Sequence, residues 1–336
     1  MMRLQKIGTK PTNPEWNRRQ FLVRSVKAGA SIAAATAAGL WFHDSRGPTR
    51  EQTGLPETER LDYAVDGLPP QMAIARGSDR RATVQSALKA LGGIENFIKK
   101  EDRVLLKVNA AFASPAILSA TTHPDIVSEM VRLCYQAGAA SVAVTDNPIN
   151  NPASCFTLSG IDAAARSAGA RVYLPDADAF KSISIKDAKL IRNWPVLVGP
   201  LKNISKVIGL APVKDHHRSG ASLAMKNWYG LLGGRRNIFH QDINAIISEL
   251  AMMVRPTMVI LDGTVSMMTN GPTGGSLTDL KETETMIVST DQVAADAFGA
   301  TLLNKSSSDL PFIEQAAAAG LGTADYRSLN PVEINA

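Results

Sequence analysis

The chain has 336 residues, enough for one large domain or two smaller ones, and its 45% hydrophobic and 20% charged residues are typical of a globular protein. The formal net charge of +5 arises in residues 1–50, which hold nine of the 36 Lys and Arg residues but two of the 31 acidic ones. The rest of the chain is slightly acidic, which argues against nucleic acid as a partner.

The first part of the chain has the features of an export signal. NRRQFL at residues 17–22 precedes a weakly apolar, alanine-rich run at 26–42, and ATA at 35–37 is a candidate cleavage site. The arginine pair followed by Gln-Phe-Leu resembles a twin-arginine signal. We therefore expect a signal region at 1–42, the twin-arginine translocase as a partner, and a periplasmic or cell-envelope location. The alternative is an uncleaved amphipathic or transmembrane anchor, although the run lacks the roughly 20 strongly apolar residues of a span.

A polar stretch at 43–68, with Gly, Pro and alternating charge, predicts a linker. After it, strand and helix patterns alternate, which predicts an α/β fold class with a mostly parallel sheet and helices on both faces. The predicted strands of this part are 72–75, 104–108, 141–145 and 171–174, and the predicted helices are 80–99, 124–137 and 158–168.

The same alternation continues in the second half of the chain. The predicted strands there are 206–211, 257–261 and 286–289, and the predicted helices are 221–229, 242–254 and 292–303. We expect the α/β domain to cover 69–310 and a C-terminal extension to cover 311–336. The pattern leaves open whether 69–180 and 181–310 share one sheet or form two α/β lobes.

The two cysteines limit the chemistry of cofactors. Cys134 and Cys155 could pair in an oxidising compartment, but the helical pattern around Cys134 favours a buried thiol. The sequence contains no CxxC motif, so we expect no cysteine-ligated iron–sulfur cluster and no structural zinc site. The identity of any other cofactor stays open.

Six short stretches together resemble one known family. They are LLKVN in the 104–109 region, TTHP at 121–124, APVKDHH at 211–217, AMKNWYG at 224–230, ILDGTVSMMTNGPTGG at 260–275 and STDQVAADAFGA at 289–300. In this order they resemble the family called domain of unknown function 362, over roughly residues 73–303. The family has no established general activity, so the resemblance implies little chemistry. Some members carry a ferredoxin-like cysteine cluster; this chain lacks it, and no iron–sulfur role is implied.

Several polar residues lie at the ends of predicted strands, where open parallel sheets bind ligands. They are Lys107, Asn109, Asp146, Asp262, Lys214 and His216. Asp146 and Asp262 also have a simpler interpretation as capping or turn residues. Lys107 lies in an apolar strand and is costly to bury without a partner, so we expect a carboxylate or an anionic ligand beside it.

The densest polar cluster, at 214–220, precedes a predicted helix that carries Lys226 and Asn227. The lysines of this region, together with Arg218, predict a cationic pocket suited to a phosphate or a carboxylate. His216 or His217 could act as an acid or base or as a metal ligand; the alternative is a solvated loop with exposed histidines.

Two other histidines and one loop complete the set of candidates. His123 and His240 are further metal candidates beside His216, with the metal unknown, although His123 in TTHP also fits an N-terminal helix cap. NGPTGG at 270–275 predicts a turn or a lid, because it lacks the lysine of a phosphate-binding loop and the spacing of a dinucleotide fingerprint.

Two functional hypotheses follow. The first is an exported enzyme or ligand-binding protein that holds an anionic small molecule, with or without a metal, in a cationic cleft. Its predicted acid/base residues are His216 and Asp262, and its predicted ligand-binding residues are Lys107, Asn109, Asp146, Lys214, Lys226 and Asn227. The second is a non-catalytic accessory or assembly protein for exported redox partners. Convergence of these side chains to hydrogen-bonding or one-water distances favours the first hypothesis.

Overall fold

The computed structural model describes residues 18–41, 58 and 60–336, and the chain divides into two units, 1–50 and 51–336. The described part of the first unit is helix α1 (Arg18–Trp41). No described helix is both long and apolar enough to cross a membrane. Residues 1–17 and 42 of the predicted signal region and most of the predicted linker, at 43–57 and 59, lie outside the described residues.

The second unit is built on a nine-stranded, mostly parallel sheet with the strand order β13-β2-β12-β11-β8-β3-β4-β5; β9 pairs with β8. Two further pairs, β1 with β10 and β6 with β7, stand apart from it. The strands are β1 (Leu61–Asp62), β2 (Met72–Arg76), β3 (Arg103–Lys107), β4 (Ser141–Thr145), β5 (Arg171–Tyr173), β6 (Phe180–Ile183), β7 (Trp194–Leu197), β8 (Lys206–His216), β9 (Gly220–Ser222), β10 (Val254–Arg255), β11 (Met258–Met267), β12 (Leu280–Ser289) and β13 (Val332–Asn335).

Helices cover both faces of this sheet, which confirms the predicted fold class. The remaining helices are α2 (Arg80–Ala90), α3 (Pro124–Gln136), α4 (Pro152–Leu158), α5 (Ile161–Ser167), α6 (Ala224–Asn227), α7 (Ile243–Met253), α8 (Gln292–Leu302) and α9 (Pro311–Ala318). Because successive strand residues point to opposite faces, Val259 and Leu261 join the core under α6–α9, whereas Met258 and Ile260 join the core under α2–α5.

Two predicted helices differ from the observed ones. The helix predicted to reach residue 99 ends at Ala90, because Gly92 and Gly93 follow with φ values of 86° and 94°, outside the helical region. The helix predicted at 221–229 is wrong at its start. Residues 220–222 form β9, and α6 begins at Ala224, whose backbone N–H donates to the buried carboxylate of Asp296 at 2.7 Å.

Two strands are longer in the structure than predicted, so three candidate residues lie within strands and not after their ends. Strand β8 continues to His216 because it pairs with β9, so Lys214 and His216 lie within the strand and not in a loop after it. Strand β11 continues to Met267 because it pairs with β12 beyond a bulge at Gly263. The prediction that Asp262 ends a strand is therefore wrong.

The last part of the chain contributes to the same sheet. Helix α9 packs against α7, and β13 pairs in parallel with β2 from Val332↔Ala73 to Asn335↔Arg76. Strands from both sides of residue 180 lie in this sheet, and the domain boundaries at 69, 180 and 310 stay predictions. Cys134 and Cys155 are both free and buried, which confirms the expected buried thiol.

Candidate functional site

A cavity of about 690 Å³ opens at the carboxyl ends of β3, β4 and β8, which are neighbours in the sheet. Its walls come from the segments after β3 and β4, the end of β8, α6 with the turn that follows, and the loop at 270–274. Of the residues predicted for the site, those that line it are Asn109, Asp146, Lys214, His216, Lys226, Asn227 and His240. The carboxyl ends of these three parallel strands therefore lie at one edge of the sheet.

Lys107 lies directly behind this wall and makes a buried ion pair with Asp146. The Lys107 Nζ is 2.7 Å from the Asp146 Oδ1, and the two side chains are 1% and 3% exposed. The Lys107 Nζ also donates to the backbone oxygens of Val108 and Asn227, at 2.7 and 2.8 Å. Burial lowers the pKa of Lys107, and Asp146 opposes that shift. The carboxylate expected beside Lys107 is thus Asp146.

The backbone of Gly230 passes very close to this ion pair. A Cβ atom at residue 230 would lie 1.8 Å from the Asp146 Oδ1 and 2.7 Å from the Lys107 Nζ. The Gly230 carbonyl also accepts from the Asn147 N–H at 3.0 Å. Any side chain at this position would displace the pair, which explains the glycine at the end of AMKNWYG.

Asn227 ties helix α6 to the sheet beneath the cavity. Its Nδ2 donates to the backbone oxygens of Lys107 and Leu210, at 3.1 and 3.2 Å. Its Oδ1 accepts from the Lys107 Nζ at 3.1 Å and from the Asn109 Nδ2 at 3.4 Å. Because every polar atom of this amide is used, Asn227 fixes the position of α6 and hence of Lys226.

Two lysines of the cavity have no carboxylate partner among the described residues. The Lys214 Nζ donates to the Ala120 carbonyl at 2.5 Å and to the Asn109 Oδ1 at 3.3 Å. The Lys226 Nζ lies 5.1 Å from the centroid of the Tyr229 ring. Burial lowers the pKa of Lys214 to about 7, with repulsion from Lys226 the next cause. Burial also lowers the pKa of Lys226 to about 8, helped by repulsion from Arg236.

Arg236 is a cavity residue that the sequence did not identify. Its guanidinium donates to the carbonyls of Asn147 at 2.7 Å and Pro148 at 3.1 Å, and to those of Tyr229 and Leu232, both at 3.1 Å. These bonds join the turn after α6 to the segment after β4. Burial lowers the pKa of Arg236, while Asp146 opposes the shift. The sequence shows only an arginine pair after two glycines, and nothing local links it to β4.

Three histidine rings stack along one wall of the cavity. The centroid of the His216 ring is 5.0 Å from that of His217 and 6.0 Å from that of His240. The His216 Nδ1 accepts from the backbone N–H groups of Arg218 and Ser219, both at 3.2 Å. Burial, followed by the charge of Lys226, lowers the pKa of His216 to about 2. The ring is therefore neutral and carries its proton on Nε2.

The exposed-loop alternative thus fails for His216, which is 2% exposed, and holds for His217, which is exposed. The His240 Nδ1 lies 3.2 Å from the Tyr229 hydroxyl and 3.2 Å from the Asn237 carbonyl. A histidine nitrogen coordinates a metal through a lone pair that lies in the plane of its ring. Because these rings lie in nearly parallel planes, their lone pairs do not converge on one ion. No group of three or more His, Cys, Asp or Glu residues suited to a metal occurs in the described part of the chain.

Asp262 and His123 lie apart from the cavity. Asp262 is two residues after Ile260 and faces α2, where its Oδ2 is 2.8 Å from the Arg80 Nε. Lys107 is two residues after Leu105 and faces the opposite side of the sheet. The predicted convergence of Asp262 with Lys107 and His216 is therefore wrong. His123 caps α3 by accepting from the Asp125 N–H at 3.3 Å, which confirms the alternative interpretation of TTHP.

The fold and the cavity together define an α/β protein with a cavity at the carboxyl edge of a mostly parallel sheet. The chain belongs to the family described as domain of unknown function (DUF362), whose model matches residues 104–301. It is similar to a thylakoid-associated protein of Synechocystis sp., with 24% identity over 246 residues that cover 68% of this chain and 72% of the relative. A Thermotoga maritima protein of known crystal structure matches with a TM-score of 0.36 and 10% identity, over 73% of this chain and 60% of that protein.

The buried ion pair should be the most sensitive polar contact of the site. We expect Lys107→Met to lower the free energy of unfolding by about 3–5 kcal/mol, because it leaves the Asp146 carboxylate buried without its partner. The double variant Lys107→Met/Asp146→Asn should recover part of this loss, since neither charge then stays unpaired. Urea unfolding followed by circular dichroism measures both.

The matched control is Arg166→Met, which removes the exposed pair of Arg166 with Asp162. Its expected cost is under about 1 kcal/mol. A Lys107→Met variant as stable as this control would contradict the structural role given to the buried pair.

Proposed function

We propose that the cavity binds a small molecule through a phosphate or carboxylate group. One observation carries the proposal: Lys214, Lys226 and Arg236 all line the cavity, while Asp146, the acidic residue among its described lining, is already paired with Lys107. Positive charge held away from water without a counter-charge is unfavourable. An anion in the cavity would offset that cost and form charge-assisted hydrogen bonds with the two lysines.

The size and cover of the cavity support a small-molecule ligand. Its volume of about 690 Å³ lies within the usual range of small-molecule sites. The loop at 270–274 forms one wall and is anchored at Gly271, whose carbonyl accepts from the His217 N–H at 3.3 Å. A Cβ atom at residue 271 would lie 1.8 Å from the Asp215 carbonyl oxygen, so glycine permits this close approach. The loop predicted as a turn or lid thus encloses the proposed ligand.

The proposed role of His216 is narrower than acid/base catalysis. Its strongly lowered pKa disfavours proton uptake in the empty cavity, and its Nδ1 is already engaged by two backbone N–H groups. The neutral ring keeps an Nε2–H that can donate a hydrogen bond to an anionic oxygen. We assign His216 as a hydrogen-bond donor to the ligand, without Asp262 as its partner.

We further propose that residues 1–42 direct the chain to the twin-arginine translocase and hence to the periplasm or cell envelope. The exposed Arg18 and Arg19, the first residues of α1, support this proposal, as does the weak hydrophobicity of the run that follows.

Sulfate provides a direct test of anion binding because it stays divalent from pH 6 to pH 9. With pKa values of about 7 and 8, Lys214 and Lys226 are both charged at pH 6 and lose their protons as the pH rises through these values. We therefore expect sulfate affinity, measured by calorimetry, to fall at least about tenfold between pH 6 and pH 9. Lys226→Met should weaken binding at pH 6 by about tenfold, the loss of one charge-assisted contact.

Lys89→Met is the control, since Lys89 is exposed on α2 and is not among the residues that line the cavity. It should bind sulfate like the unchanged chain. Absence of sulfate binding at pH 6, or an affinity that neither pH nor Lys226→Met alters, would refute the proposed anion site.

Export is tested with the full chain in a bacterium that has the twin-arginine translocase. The double variant Arg18→Lys/Arg19→Lys should stay in the cytoplasmic fraction, because the arginine pair is the recognised element of the signal. Arg24→Lys, outside the pair, should be exported like the unchanged chain. Fractionation and immunoblotting give the readout, and export of the double variant at the normal level would argue against this route.

A further inference from the structure

We propose that Lys226 is a nucleophile that condenses with the carbonyl group of a small 2-oxo acid to form an imine in this cavity. The inference rests on the proposed function, because the same cationic cavity would hold the carboxylate of the 2-oxo acid. It assigns different tasks to two neighbouring lysines: Lys226 attacks the carbonyl carbon, and Lys214 binds the adjacent carboxylate.

Hydrogen bonding distinguishes Lys226 from the other lysines of the site. The Lys107 amine is held by Asp146 and by three oxygen atoms of the chain, and the Lys214 amine donates to Ala120 and Asn109. In the described part of the chain the Lys226 amine has no hydrogen-bond acceptor, and its Nζ lies 5.1 Å from the centroid of the Tyr229 ring. Hydrogen bonds and ion pairs of this kind favour the protonated amine, which has no lone pair to attack a carbonyl carbon. Lys226 is therefore the amine available as a nucleophile.

The surroundings of Lys226 keep part of this amine neutral near physiological pH. Its side chain is half-buried, which lowers the pKa of Lys226. Repulsion from the positively charged Arg236 guanidinium lowers this pKa further. Asp146, the carboxylate among the described lining residues, forms its ion pair with Lys107 and not with Lys226. Burial beside another cation is the usual way in which proteins activate a lysine as a nucleophile.

The position of Lys214 suits the carboxylate that adjoins the carbonyl of a 2-oxo acid. Lys214 and Lys226 line the same cavity, and the charge of Lys226 helps to lower the pKa of Lys214. The carboxylate and the carbonyl of a 2-oxo acid are directly bonded, so two amines of one cavity can engage both groups at once. A protonated lysine has three N–H donors, and Lys214 uses two of them for Ala120 and Asn109. The third can donate to the carboxylate.

The chemistry balances without an oxidant or a reductant. The neutral Lys226 Nζ bonds to the carbonyl carbon, and the electron pair of the C=O double bond moves to oxygen, which takes up one of the two amine protons by way of water. The carbinolamine then loses this oxygen as water, and a carbon–nitrogen double bond forms. The sum is amine plus carbonyl giving imine plus water. The second amine proton leaves with this oxygen as water, and His216 donates a hydrogen bond to the oxygen without losing its own proton.

Reductive trapping tests the inference on the full chain. Pyruvate and sodium cyanoborohydride are added, and intact mass followed by peptide mapping locates the reduced adduct. We expect one adduct for each chain, located at Lys226, and its loss in Lys226→Arg. Lys89→Arg should retain it. Its rate of formation should be highest between pH 7 and pH 8, because it rises as the Lys226 amine loses its proton and falls as Lys214 loses the charge that binds the carboxylate.

Oxalate separates the inference from the proposed function, because it is close to pyruvate in size and carries carboxylate groups but does not form an imine. Its binding to the unchanged chain is measured by calorimetry. If oxalate binds while the adduct is absent or is spread over exposed lysines, the imine is refuted and the anion site stands. If neither oxalate nor sulfate binds and no adduct forms, both proposals fail.

Discussion

The buried ion pair of Lys107 with Asp146 determines the arrangement of the whole site. It joins the ends of β3 and β4, and through the Asn227 carbonyl it joins both to α6. Buried charges are tolerated when they are paired and fully hydrogen-bonded, and both partners here meet that condition: the Asp146 carboxylate also accepts from the Ala110 and Asn147 N–H groups. Three segments that are distant in sequence are thus held together at one edge of the sheet.

The same pair sets the electrostatics of the cavity. Because Asp146 is committed to Lys107, its charge is not available to Lys214, Lys226 or Arg236. The result is a concave surface with a local excess of positive charge in a chain whose body is slightly acidic overall. Such an excess costs free energy in the empty protein, which is a common feature of sites arranged for an anionic ligand.

The sequence predicted the fold class because the hydrophobic patterns are local. The apolar strands at β3, β4 and β8 and the intervening helix α3 are evident from periodicity alone, and parallel order brings the ends of the strands together. Lys107 was informative for the same reason: a lysine in an apolar strand requires a partner. Long-range pairing was not evident. The extension of β8 depends on β9, and that of β11 depends on β12, so the surroundings of His216 and Asp262 could not be predicted from neighbouring residues.

Two errors show where local reasoning fails. Asp262 was grouped with Lys107 because both follow apolar strand residues, yet their positions place them on opposite faces of the sheet, where Asp262 meets Arg80 and Lys107 meets Asn227. Arg236 was missed because its four carbonyl partners come from segments up to 89 residues away. The contacts of Arg236 depend on the path of the loop that carries it, and the order of strands and helices does not determine that path.

A crystal structure grown in selenate tests the central claim most directly, because selenium gives an anomalous signal that locates the anion. Unbalanced positive charge in the cavity predicts a strong anomalous peak within hydrogen-bonding distance of the Lys214 and Lys226 amines. A well-ordered cavity without such a peak, in crystals that bind selenate elsewhere on the surface, would contradict the claim.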